Sequence, residues 1–178
     1  GPLEAVKPWS MQGVEGVHRF LNKVWRLAVD PESGALQAAV QEAEGDADTL
    51  RILHQTIKKV TNDIENFAFN TAISQMMICV NHLGRQEIRP KQVLENFVLI
   101  LSAFAPHIAE ELWHRLGHTE TLAYEPWPPF DAQLARENEV ELAVQVCGKI
   151  KDRILVSADA GEQEIEQKAL ANPKVQAA

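Results

Sequence analysis

The sequence predicts a mainly α fold, an antiparallel helix bundle followed by a small, incomplete α+β unit made of a hairpin plus a helix. Three observations carry this. Five stretches before Gly117 place apolar residues at steps of three and four, which is the period of a helix with one buried face. The breaks between most of them are short and marked by proline or glycine, as expected where helices turn back on their neighbours. Beyond Gly117 the pattern changes to a proline-rich connector and then to alternation at period two.

The first helix runs from Gly13 to Val29, with Val14, Val17, Phe20, Leu21, Val24, Trp25 and Ala28 on one face. Arg19, Lys23 and Arg26 fall at i, i+4 and i+7 on another. Asp30-Pro31-Glu32-Ser33-Gly34 ends it, and Gln41 to Asp46 is expected as loop. From Ala47, the series Leu50, Leu53, Ile57, Val60, Ile64 and Phe67 predicts a long packed helix. Asn70-Thr71 is expected to cap a third helix through Ile73, Met76, Met77, Val80 and Leu83, stopped by Gly84. Pro90 opens the fourth. Pro106 opens the fifth, because a proline is tolerated in the first turn, where no amide donor is needed. In the second part, Val140, Leu142, Val144 and Val146 predict a strand, Cys147-Gly148 a turn, and Ile150, Ile154 and Val156 a second strand. A short helix over Glu162 to Ala171 would turn Ile165 and Ala169 inward. The expected domains are 1–134, the bundle with its connector, and 135–178, a truncated ββα unit with little area to bury alone.

Composition limits the function. The 178 residues include 17 Lys and Arg against 25 Asp and Glu, a formal charge of −8, so any nucleic-acid contact must come from local basic stripes. No apolar run approaches the ~20 residues that span a bilayer, so no membrane partner is expected. The two cysteines, Cys79 and Cys147, are far apart and expected as free thiols.

Several residues suggest chemistry but lack its pattern. Cys79 with His82, and His114 with His118, have no second pair of ligands, and no metal site is expected. Glu110 and Glu111 are adjacent on a helix, diverge by about 100°, and cannot share a proton. Trp25 and Trp113 lie on apolar faces and belong to the core, whereas Trp9 and Trp127 flank prolines and clamp loops. No glycine-rich phosphate loop occurs. The basic residues remain. Arg19, Lys23 and Arg26 make a stripe suited to a phosphate backbone, and Lys58 and Lys59 are expected to join it. Strict alternation would put Lys149, Lys151 and Arg153 on one face of the hairpin. Arg85, Arg89 and Lys91 form a weaker cluster at a helix–helix turn.

Five segments together resemble one family. They are KPWSMQGVEGVHRFLNKVWRL at Lys7 to Leu27, HQTIKKVTNDIENFAFNTAIS at His54 to Ser74, NFVLILSAFAPHIAEELW at Asn96 to Trp113, YEPWPPFD at Tyr124 to Asp131, and ELAVQVCGKIKDRI at Glu141 to Ile154. In this order they resemble the C-terminal part of bacterial-type leucyl-tRNA synthetases, which are class I aminoacyl-tRNA synthetases. The resemblance implies a helical tRNA-binding domain of the anticodon-binding type, a cytoplasmic location and a leucine-specific tRNA as partner. It also implies that ATP and Mg act in a parent leucine–tRNA ligase, with no cofactor in this span. The HIGH and KMSKS sequences of the catalytic half do not occur here, so no catalytic residue is expected and the chain alone is expected to be inactive. Cys147 stands where the family usually has asparagine in a Val-Asn-Gly-Lys turn. Bundles of valyl-, isoleucyl- or methionyl-tRNA synthetases, or a free-standing helical interaction module, are the alternative readings.

Overall fold

The computed structural model describes residues 6, 8, 10–136, 139–146, 148–157 and 160–176. It divides into two compact units, Gly1–Ala135 and Arg136–Ala178. The fold is mainly α with a small α+β part, as the periodicity predicts.

The first unit contains α1 (Met11–Ala28), β1 (Val40–Gln41), α2 (Ala47–Glu65), α3 (Phe69–Leu83), β2 (Arg89–Pro90), α4 (Lys91–Ser102) and α5 (Pro106–Arg115). The helix contacts close into a ring. α1 lies against α3 and α5, α2 against α3 and α4, and α4 against α5. Inside it sit Leu53, Ile57, Val60, Met76, Phe97, Ile100, Leu101 and Leu112, all buried. Pro106 occupies the first turn of α5, and Gly117 follows the end of that helix at φ +104°, a left-handed backbone that glycine adopts without a Cβ clash. Asp46 caps α2 by accepting from the Thr49 amide at 2.7 Å, which also holds its carboxyl below the ordinary range.

Four local expectations are corrected. The loop over Gln41 to Asp46 begins inside β1, which pairs in parallel with β2 through Val40 opposite Arg89. Phe67 does not continue α2. The helix ends at Glu65, and Phe67 sits in the turn at φ +54°, 64% exposed. α3 starts before Asn70-Thr71, with Ala68 as cap residue, because the Thr71 hydroxyl donates to Asp63 Oδ2 at 2.6 Å instead of capping. Val14 and Val17, expected on the buried face of α1, are 42% and 52% exposed, and burial along that helix begins at Phe20.

Asp63 is a buried carboxylate that joins α2 to α3, since it accepts from Lys59 Nζ at 2.7 Å as well as from Thr71. Burial pushes its pKa up, but the Lys59 and Thr71 hydrogen bonds and the ammonium charge outweigh this and hold it below the usual value. A folded-state pKa below the unfolded one stabilises above the unfolded value of about 3.9 and is lost as pH falls through the folded value. Asp63→Asn is therefore expected to cost about 1.5 kcal/mol at pH 7. Denaturant melts of the two proteins should converge below about pH 4, and a constant gap from pH 7 to pH 2 would contradict this role.

In the second unit β3 (Glu139–Val146) and β4 (Lys149–Ser157) pair antiparallel, with Gly148 in the turn at φ +77°. Cys147 lies outside the described residues. α6 (Glu162–Leu170) and α7 (Pro173–Gln176) both touch β4. Asp152 accepts from Asn172 Nδ2 at 2.9 Å and Lys174 Nζ at 3.0 Å, and these bonds hold its carboxyl down to about 2. α7, which the periodicity does not reveal, is thereby tied to the hairpin.

Candidate nucleic-acid interface

Arg19, Lys23 and Arg26 are all exposed on α1, on the side that faces α3. The spacing places them there because the other side of this half of the helix carries Phe20, Val24, Leu27 and Ala28 into the core. Lys23 Nζ donates to Asn81 Oδ1 on α3 at 3.0 Å, fixing one cation between the helices. Two depressions adjoin at this pair. One, of about 290 Å³, is bordered by Lys23, Arg26, Asn81, Arg85 and Arg89; the other, of about 460 Å³, by Gly16, Arg19, Lys23 and Asn81. No carboxylate lines either one.

Arg85 and Arg89 thus belong with the stripe, although they are 59 or more positions from Arg26 in sequence. The two arginines act differently. Arg85 is exposed at the end of α3. Arg89 is half-buried, with Nε donating to Leu83 O at 3.1 Å and Nη1 to Leu27 O at 2.9 Å, so it ties together the carboxyl ends of α1 and α3. Those carbonyls lack intrahelical donors and carry the negative end of each helix dipole, which a guanidinium satisfies. Burial lowers the Arg89 pKa, but an arginine keeps its charge. A hydrophobic face and a cation run would not have revealed Asn81, which carries no charge signal at all.

Lys58 and Lys59 do not join this surface. Lys58 lies over the Phe130 ring at 5.9 Å, and Lys59 is held by Asp63. This side of α2 is occupied by the connector. Trp127 Nε1 donates to Thr61 Oγ1 at 2.8 Å, the Asp131 amide to His54 Nδ1 at 3.0 Å, and Gln55 Nε2 to Ala135 O at 3.1 Å. Trp127 clamps the connector as its flanking prolines suggest, while Trp9 lies outside the described residues. Lys91 is paired with Glu42 at 2.8 Å.

The hairpin row is also interrupted. Gln145 pairs with Ile150 but Val144 pairs with Asp152, so Lys151 is the extra residue of a β-bulge. Lys149, Lys151 and Arg153 are therefore not related by an unbroken period of two.

The remaining polar groups have structural partners. His82 Nε2 lies 2.9 Å from Thr49 Oγ1, and Cys79 beside it is buried, which pushes its thiol up to about 12. His118 Nε2 lies 2.7 Å from Glu95 Oε1 while its ring stacks on Trp113 at 3.6 Å. Glu110 accepts from Thr121 Oγ1 and the Leu122 amide, and Glu111 from Arg115, so the adjacent carboxylates serve different partners. Among the described residues no three His, Cys, Asp or Glu are grouped so as to hold a metal ion. No described helix is long and apolar enough to cross a membrane.

The family described as "Anticodon-binding domain of tRNA ligase" matches residues 46–166, and the chain belongs to it. The chain is also 47% identical, over 178 residues, to a leucine–tRNA ligase of Rhodopirellula baltica. That alignment covers 99% of the chain, including α1, and 19% of the relative. A crystal structure of the ternary complex of an Agrobacterium radiobacter LeuRS with tRNA and LeuAMS superposes with a TM-score of 0.74 at 27% identity, covering 99% of this chain and 24% of that one. The chain therefore spans about a fifth to a quarter of these relatives' length.

Proposed function

We propose that the chain is the tRNA-binding portion of a leucine–tRNA ligase and that the groove between α1 and α3 takes the tRNA phosphate backbone. The observation that carries this is the carboxylate-free lining of two adjoining depressions by Arg19, Lys23, Arg26, Arg85 and Arg89, in a chain whose net charge is −8. Phosphates are met by Arg and Lys with release of condensed counterions, a contact that positions a nucleic acid without reading its bases. Arg89 holds the carboxyl ends of α1 and α3 together, so the groove exists before the ligand arrives and no ordering cost falls on the helices.

In this reading the bundle fixes the body of a leucine-specific tRNA. Its acceptor end can then reach a catalytic site in the ligase polypeptide outside these residues. Adenylate formation with ATP and Mg belongs to that outside portion, and the cytoplasm is the compartment. Lys149, Lys151 and Arg153 would supply a second, separate contact from the hairpin. Lys58 and Lys59 contribute less, each being engaged within the chain.

The test is a binding titration of the 178-residue chain against tRNA at several salt concentrations. Four exposed cations in the groove predict a slope near −3 in log K against log salt, at about 0.7 to 0.9 per phosphate. No binding at low salt, or binding indifferent to salt, would overturn the proposal.

A further inference from the structure

α1 carries an apolar stripe along its whole length, but the bundle covers only half of it. Val14, Val17, Leu21, Val24 and Ala28 succeed one another at steps of three and four. Val24 and Ala28 are 2% and 3% exposed, whereas Val14 and Val17 are 42% and 52% exposed. The uncovered half forms the wall of an open hollow of about 810 Å³ lined by Pro8, Ser10, Gly13, Val14, Val17 and His18 along with Leu21, with no Lys, Arg, Asp or Glu among them. Gly13 gives a second sign on the same face. Within the chain a Cβ there would meet only Ser10 Cβ at 3.9 Å, so the helix backbone is open to close approach by a surface lying against it.

We propose that this face of α1 docks an apolar, uncharged surface of the ligase polypeptide that lies outside these 178 residues. The inference rests on the ligase reading above. Three considerations select that occupant. RNA is disfavoured, because the described residues of the lining include no Lys or Arg and the basic stripe occupies a different side of the same helix. A second copy is disfavoured, because two helical turns offer far less than the ~800 Å² per partner that a stable dimer buries. Within one polypeptide a small patch suffices, since tethering raises the effective concentration to roughly millimolar. The relatives supply the material: they align with 99% of this chain using only 19% and 24% of their own length. A helix gripped on one face by the rest of the ligase and on another by tRNA phosphates would hold the two in a fixed relation.

Hydrogen exchange of residues 11–17 tests this in the isolated chain and in the ligase containing it. Exchange is expected to be about tenfold or more slower in the ligase, since burial removes the local opening of an uncovered helix end. Val14→Asp with Val17→Asp, and the milder Val14→Ser with Val17→Ser, should restore fast exchange in the ligase and reduce leucylation. Both residues are exposed in the bundle, so its folding in the isolated chain should not change. Equal exchange in chain and ligase, or slow exchange in ligase carrying either double variant, would overturn the proposal. So would slow exchange in an isolated chain that sediments as a dimer. The salt slope of tRNA binding by the isolated chain reports on the groove separately. Its absence alongside the expected protection would remove the groove's role and leave the docking face standing.

Discussion

Trp113→Ala is expected to destabilise the chain by about 3 to 5 kcal/mol, the range for deleting a large core aromatic. The ring is only 5% exposed and stacks on His118 with planes 6° apart. Its removal opens a cavity in the bundle and frees the His118 ring, which is also held to Glu95 of α4 at 2.7 Å. The contact between α4 and the end of α5 thus fails together with the packing. Trp113→Phe separates the two effects. Among the described residues the buried indole N–H has no partner, a cost that phenylalanine does not incur. The Phe variant should lose about 1 kcal/mol or less, since the smaller ring still stacks and no polar group is stranded. Chemical denaturation of the three proteins measures both values, and a loss under about 1 kcal/mol for the alanine variant would mean that the ring is not part of the core.

Replacing Arg19, Lys23 and Arg26 together by Gln is expected to reduce the salt slope of tRNA binding by about two to three units. Affinity near 0.1 M salt should fall by about 10², because each lost phosphate contact removes about 0.7 to 0.9 from the slope. Helix content should not change, because all three residues are exposed while Phe20, Val24, Leu27 and Ala28 form the buried part of the helix. Lys23 also loses its bond to Asn81, which a glutamine is too short to repeat from the same backbone position. Its share of the effect therefore includes groove shape as well as charge. An unchanged affinity and slope would make the stripe a solvated surface and shift the contact to the hairpin cations.

The parts of this fold legible in the sequence are those set by local chemistry. Pro106 and Gly117 bound α5 because each acts through its own backbone, and the apolar series of α2 and α3 match their buried faces. The resemblance led correctly to the tRNA ligase family. What was hidden depends on partners distant in sequence. The β1–β2 pair joins residues 49 positions apart through only two residues per strand, too short for periodicity to register. Lys59 looks like any surface lysine until α3 brings Thr71 beside Asp63. The groove was half visible: the stripe follows from helix geometry, but its union with Arg85 and Arg89 follows from the packing of α1 on α3. Lys151 was misplaced because a bulge adds one residue to β4, and alternation cannot count it. Val14 and Val17 were expected to be buried because hydrophobic periodicity records that a face is meant to be covered, without recording by what.

With tRNA in the carboxylate-free groove as proposed, the net charge of −8 would also govern how the polyanion arrives. Within the ~10 Å over which charge is felt at 0.1 M salt, the acidic remainder of the chain repels a nucleic acid, and only approach along the α1–α3 face is attractive. Collisions from other directions are deflected before they can become unproductive complexes. Orientation is thus selected during the encounter itself, and salt has opposing consequences for the two stages: it lowers the far barrier to meeting and loosens the near hold after contact.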